Sequence, residues 1–233
     1  MARMKNGPYG PIVGRIGNTV GYIRLGEPIV RIIATPKKNR VKSEKQIAAF
    51  DKMRVIMEFV SPINTFVNTS FKLAVRGTTK IPQNAAVSLN INAAVKGEYP
   101  NLELDYPKIM VSKGNLLPAQ NPVISFNVES PINENAIYTN VSIKFQWDVD
   151  PELEYEMNRA EVMLLAYLPD NKSTFFKVTG ARRSAGEDTL HGCIAIKNHG
   201  NIIKDRFIET YIAFISDDRE SISDSIYTGR VVL

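Results

Sequence analysis

The sequence predicts an α+β protein: an N-terminal β-hairpin arm, a short helical layer, and a C-terminal antiparallel β-sandwich of the immunoglobulin or fibronectin kind. Three observations carry that prediction. Residues 141–149 are apolar at every odd position and polar at every even one, as a strand with one buried face requires. Between residues 43 and 96 the apolar positions recur instead at steps of three and four, the spacing of a helix face. Residues 7–26 are broken by six glycines and two prolines, a texture that suits bends rather than a regular element. The chain therefore divides into a basic, glycine-rich arm and hairpin over 1–42, a helical segment over 43–98 and a sandwich over 99–233.

In the arm, Gly7, Gly10, Gly14, Gly17, Gly21 and Gly26 alternate with Pro8 and Pro11. Each glycine inside a strand or helix costs about 0.5–1 kcal/mol, so this run is expected to be extended and bent. Strands are expected over 20–25 and 29–34 around the turn Gly26-Glu27-Pro28. In the second of them, Ile29 and Arg31 point one way and Val30 and Ile32 the other. A hairpin by itself is marginal in water, so it must lie on another part of the chain or on another molecule.

The linker Thr35-Pro36-Lys37-Lys38-Asn39-Arg40 leads to a helix start, with Ser43 as cap and Gln46 three residues later completing a capping box. Ile47, Phe50, Met53, Met57 and Val60 line up on one face of this helix. A second start is expected at Ser61 with Pro62 at the first helical position, where its missing N–H costs nothing. Its stripe is Ile63, Phe66, Val67, Phe71 and Ala74, and Gly77 ends it. A third helix is expected over 83–96, opened by Pro82 and closed by Gly97.

After Tyr99-Pro100 strands are expected over 108–112, 123–129, 141–149, 161–168, 174–179, 189–196, 207–216 and 225–233, parted by turns such as Leu168-Pro169-Asp170-Asn171. Residues 161–168 are apolar on both faces and read as a central strand. Eight short strands separated by turns argue for a sandwich, and the single Trp147 on an early strand suits its core.

The 233 residues are 44% hydrophobic and 23% charged, enough to bury a sizeable core. No apolar run reaches the ~18–20 residues that cross a bilayer, and the opening residues lack the apolar centre of a secretory signal. A soluble protein is expected, cytoplasmic or assembled into a particle, with no conventional export signal. The lone Cys193 excludes an internal disulfide. The net charge of +5 hides a division. Residues 1–54 hold twelve Lys and Arg against three acids, a balance of +9, whereas the rest holds 17 against 21, a balance of −4. That asymmetry points the N-terminal part toward an anionic partner or toward the acidic part of a neighbouring copy.

Candidate chemistry is sparse. His191, Cys193 and His199 come nearest to a metal set, but a structural zinc takes four ligands, so they are read as a strand-edge histidine beside a small buried thiol. The glycine run has neither GxGxxG nor GK[ST] spacing and precedes no strand-to-helix turn, which leaves no phosphate loop. Three Asn-x-Ser sequons, at Asn68, Asn140 and Asn171, are read as chance, and the carboxylates Asp150, Glu152, Glu154 and Glu156 as solvated surface. No catalytic residue, metal, cofactor or small-molecule substrate is indicated.

Several segments resemble a bacterial family known only as a domain of unknown function. They are the opening Met-Ala-Arg-Met-Lys-Asn-Gly, the run from Gly14 through Gly17, Asn18, Val20, Gly21 and Tyr22 with Arg31, and Ser43-Glu44-Lys45-Gln46. Asn84 to Ser88, Tyr99-Pro100, Phe214 to Ser216 and Ser225 to Gly229 complete the likeness, which spans nearly the whole chain and brings no activity with it. The arm, hairpin and basic linker are also similar to openings of phage-associated structural proteins, departing from them at Ser43-Glu44-Lys45. The leading expectation is a non-enzymatic structural or interaction protein, an assembly subunit docking on a neighbouring copy or another protein through Val20, Tyr22, Ile23, Ile29 and Ile32. The alternative is a nucleic-acid-associated protein whose Arg24, Arg31, Lys37, Lys38, Arg40 and Lys42 meet phosphates. A carbohydrate-binding or adhesive sandwich is a third class.

Overall fold

The computed structural model describes residues 2–4, 6–7, 10–35, 41–128, 138–195, 197–198, 201–202 and 207–232. It divides into two compact units, one made of residues 1–47 with 77–80 and the other of residues 48–76 with 81–233.

The first unit is a four-stranded antiparallel meander of β1 (Arg3–Met4), β2 (Ile12–Ile16), β3 (Thr19–Arg24) and β4 (Glu27–Ile32), in that spatial order. The glycine run is thus part of a sheet: Gly14 and Gly21 lie in its strands, while Gly7, Gly10, Gly17 and Gly26 lie in bends and turns. Gly14 takes φ 115°, and a Cβ on Gly21 would run into the Ile12 backbone. A side chain at Gly21 would force the strands apart, and one at Gly14 would be strained by its positive φ. The second turn is Leu25-Gly26 rather than Gly26-Glu27-Pro28. Both residues take positive φ, 50° and 86°, as a two-residue primed turn demands. Pro28 therefore lies inside β4.

In the second unit the helices are α1 (Glu44–Val60, whose first turn belongs to the first unit), α2 (Asn64–Ser70) and α3 (Pro82–Ala93). The capping box forms as expected: Gln46 N–H donates to Ser43 Oγ at 3.4 Å and Ser43 N–H to Gln46 Oε1 at 3.2 Å. The expected stripe of α1 is only in part its buried face. Ile47, Phe50 and Met53 are exposed, whereas Met57 and Val60 at the C-terminal end of the expected stripe pack into the core beside Ile56 and Phe59. Ser61 and Pro62 belong to a turn, so α2 starts at Asn64 without a side-chain cap. After α3 the chain forms the short ladder β5 (Val95–Lys96) with β6 (Glu103–Leu104).

Seven strands build two sheets: β7 (Val123–Val128), β8 (Tyr138–Gln146), β9 (Glu161–Leu168), β10 (Ser173–Lys177), β11 (Glu187–Ala195), β14 (Phe207–Ile215) and β15 (Ile226–Val232). A four-residue helix, α4 (Tyr155–Asn158), leads into β9, and β12 (Lys197–Asn198) with β13 (Asn201–Ile202) forms a separate ladder. The orders are β10-β9-β14-β15 and β11-β8-β7, antiparallel throughout. Alternation along β9 explains the doubly apolar run. Val162, Leu164, Ala166 and Leu168 share a core with Val141, Ile143 and Phe145 of β8, while Met163, Leu165 and Tyr167 share one with Phe59, Phe66 and Val67 of the helices. β14 divides in the same way, Ile212 and Phe214 to one side, Tyr211, Ala213 and Ile215 to the other. The molecule's second unit is thus three layers, helices on sheet on sheet, with the central sheet buried on both faces.

Residues 108–112 are not the expected strand. A 3-10 turn at Tyr106–Lys108 is followed by irregular chain whose polar groups are met by side chains. The Asn90 amide donates to the Met110 carbonyl and accepts from its N–H, both at 2.8 Å. Ser70 Oγ donates to the Val111 carbonyl at 2.6 Å, and Val111 N–H donates to Ser225 Oγ at 2.8 Å. Trp147 is buried as expected, its ring centre 5.4 Å from that of Phe214 and its Nε1–H donating to the Arg183 carbonyl at 2.7 Å.

Candidate docking interface

Cross-strand register decides which side chains of the N-terminal sheet share a face. The pairs Gly14–Gly21, Arg15–Val20 and Ile16–Thr19 join β2 to β3, and Thr19–Ile32, Val20–Arg31, Gly21–Val30, Tyr22–Ile29, Ile23–Pro28 and Arg24–Glu27 join β3 to β4. Residues opposite one another lie on the same face. One face accordingly carries Ile16, Thr19, Ile23, Pro28, Val30 and Ile32, with no charge among them. The other carries Arg15, Arg24, Arg31, Glu27, Val20, Tyr22 and Ile29.

The apolar face is open: Val30 is 58% and Ile32 75% exposed, and Ile16 and Ile23 nearly half. Gly21 is the one buried residue among the described residues of this unit. A four-stranded sheet that leaves its aliphatic side chains in water holds no hydrophobic core. It loses the ~25 cal/mol per Å² that covering them would supply. The five predicted docking residues are thus split, Ile23 and Ile32 on the open apolar face and Val20, Tyr22 and Ile29 on the basic one.

Of the predicted anion contacts, Arg24 and Arg31 share the basic face, where Arg15 joins them. Strand alternation over residues 15–20 would have found Arg15, but the reading of that stretch as a bent arm hid it. The Arg31 guanidinium lies 5.7 Å from the Tyr22 ring centre, and Arg15 Nε donates to the Gly17 carbonyl at 3.0 Å. Lys37, Lys38 and Arg40 lie outside the described residues, and Lys42 is exposed.

Elsewhere the buried Glu209 and Arg183 find partners within the chain. Glu209, fully buried, accepts the Tyr227 hydroxyl at 2.6 Å and Arg230 Nε at 2.9 Å, with the Arg230 guanidinium 4.0 Å from the Phe207 ring centre. Burial, with the Glu209 charge added to it, pushes the Tyr106 phenol up to about 12 and raises Tyr227 as well, so both stay protonated at neutral pH. Arg183 is buried over the Phe214 ring and donates to the carbonyls of Leu117 and Pro118. Desolvation lowers its pKa to about 10. His191 and Cys193 lie side by side on the outward face of β11, and the thiol is exposed rather than buried, because strand alternation turns Leu190 and Ile194 inward instead. His199 lies outside the described residues. Among the described residues no three His, Cys, Asp or Glu side chains gather as a metal site, and no helix is long and apolar enough to cross a membrane.

Residues 11–229 match the model of a family of unknown function, DUF6266, and the chain belongs to that family. Neither a curated protein nor a solved structure matches it.

Proposed function

We propose that this member of the DUF6266 family is a non-enzymatic assembly subunit whose N-terminal sheet docks on another protein. One observation carries the reading: an aliphatic sheet face, with Val30 and Ile32 more than half exposed, in a unit whose described residues include a single buried one, Gly21. Exposed apolar patches of this kind mark interaction sites. The strand order of the second unit, with its fourth strand on the sheet of the third, sixth and seventh, supports reading it as a fibronectin-like body that the sheet tethers. The test is the full chain with Ile23→Asp and Ile32→Asp together. Assembly, followed by light scattering over a wide concentration range and by co-purification, is expected to be lost while the melting of the three-layered unit stays in place. Unchanged assembly would sink the reading.

The second reading, contact with nucleic acid, has Arg15, Arg24 and Arg31 on one face in its favour. It expects duplex binding that weakens steeply with salt, with a shallower salt slope after Arg15, Arg24 and Arg31→Ala. No retardation at low salt dismisses it.

A further inference from the structure

Strand β4 is the open edge of the N-terminal sheet, since among the described residues nothing pairs with it on the side away from β3. The direction of its backbone groups follows from one bond and the register. Ile33 N–H donates to the Asn18 carbonyl at 2.7 Å, so the odd-numbered residues of β4 turn their N–H groups toward β3. Val30 and Ile32 then turn theirs outward, and Pro28, which has no N–H, sits where β3 asks none of it. The edge therefore offers donors at Val30 and Ile32 and acceptors at Pro28, Val30 and Ile32. An unpaired edge of this kind is a template for another strand.

The residue order on that edge is self-complementary. When Glu27-Pro28-Ile29-Val30-Arg31 is laid antiparallel on a copy of itself with Ile29 opposite Ile29, Glu27 falls opposite Arg31 at both ends and Pro28 falls opposite Val30. Opposite charges meet, the two isoleucines pack across the axis, and each Val30 N–H reaches a Pro28 carbonyl. Among the described residues neither Glu27 nor Arg31 has an ion pair within the chain, Arg31 being stacked near Tyr22 only. A contact in which the same patch serves both partners is the isologous interface of a two-fold dimer.

We infer that the partner of the N-terminal sheet is a second copy of this chain, joined β4 to β4 about a two-fold axis at Ile29, with Glu27 of each copy paired to Arg31 of the other. The inference rests on the docking reading above and names its partner. The two four-stranded sheets become one of eight strands, and their aliphatic faces become continuous across the axis.

Sedimentation of the full chain carrying Cys193→Ser tests it. A monomer–dimer equilibrium is expected. Val30→Pro, which removes only an outward N–H, is expected to abolish the dimer. Glu27→Arg or Arg31→Glu alone places like charges opposite one another twice and weakens it about fivefold to tenfold; the two together restore it, which a folding defect would not do. Oxidation of Ile29→Cys in this background yields a cross-linked dimer, since directly opposed residues outside the hydrogen-bonded pairs lie about 4.5 Å apart. Val30→Cys does not. A wild-type monomer at all concentrations overturns the inference, as does a dimer indifferent to Val30→Pro and to both single charge changes. A cross-link at Val30 in place of Ile29 overturns the register. If Ile23→Asp with Ile32→Asp abolishes assembly and Val30→Pro leaves it intact, the sheet docks by its face and the edge pairing alone is wrong.

Discussion

Two side chains show how single residues replace backbone pairing in this protein. Asn90, buried on α3, gives the Met110 peptide both of the bonds a neighbouring strand would have given, and its amide also donates to the Ala86 carbonyl at 2.9 Å. Asn90→Ala leaves the Met110 N–H and carbonyl without partners, a loss of about 2–4 kcal/mol in denaturant unfolding. Asn90→Asp keeps the acceptor for the N–H but turns oxygen toward two carbonyls, and is expected to cost at least as much; a value near zero for either would show that water serves Met110 equally well. Asp188 does comparable work at the start of β11. Burial alone would raise its pKa, but hydrogen bonds from Lys177 Nζ at 2.9 Å, Ala181 N–H at 2.8 Å and Thr189 N–H at 2.7 Å outweigh it and hold the carboxyl below its ordinary 3.8. A carboxyl whose pKa is lower in the folded state gives stability that is complete above the unfolded value and is lost as pH falls through the folded one. The unfolding midpoint is therefore expected to drop below about pH 4, and Asp188→Asn to flatten that drop. Acid profiles of wild type and variant that run parallel would refute it.

Elements were legible in the sequence to the degree that their signals were local. The Ser43–Gln46 box, the alternation of residues 141–149 and the doubly apolar 161–168 are local patterns, and each has its counterpart in the structure. The buried face of α1 was legible only in part. The expected stripe is buried only at its Met57 and Val60 end, and the position of β9 and β14 adds Ile56 and Phe59 to the inner face. Residues 108–112 have a strand's composition, yet partners far along the chain, Asn90 and Ser225, satisfy them as a loop. The glycine run misled for the opposite reason: the Ile12 backbone needs a bare Gly21 beside it, and nothing in either residue's neighbourhood announces the approach. The Leu25-Gly26 turn has a consequence that can be measured. Leucine at positive φ is strained, by about 1 kcal/mol, where asparagine is at ease. Leu25→Asn is expected to slow amide exchange in β3 and β4 with the three-layered unit unaffected; faster exchange would show the turn is held by something other than its backbone.

At the scale of the whole molecule, the charge division and the division into units coincide in part. The basic N-terminal quarter contains the sheet with the open edge and the open face, and the acidic remainder contains two cores that share a central sheet. The proposed interaction site was legible as a region and not as a surface. Hydrophobicity marked Ile23 and Ile32, but only strand register separates them from Val20, Tyr22 and Ile29 and brings Arg15 beside Arg31. The central sheet also sets a schedule. The ring of Phe59 packs 4.7 Å from that of Tyr167 and 6.2 Å from that of Tyr211, partners about 110 and 150 positions later in synthesis. At the usual ~5–20 residues per second, the helices leave the ribosome about 8–30 seconds before the strand that completes their cover. For that interval the nascent chain shows its greasiest helical surface to the cell, which makes it a natural client for chaperones that shelter such surfaces.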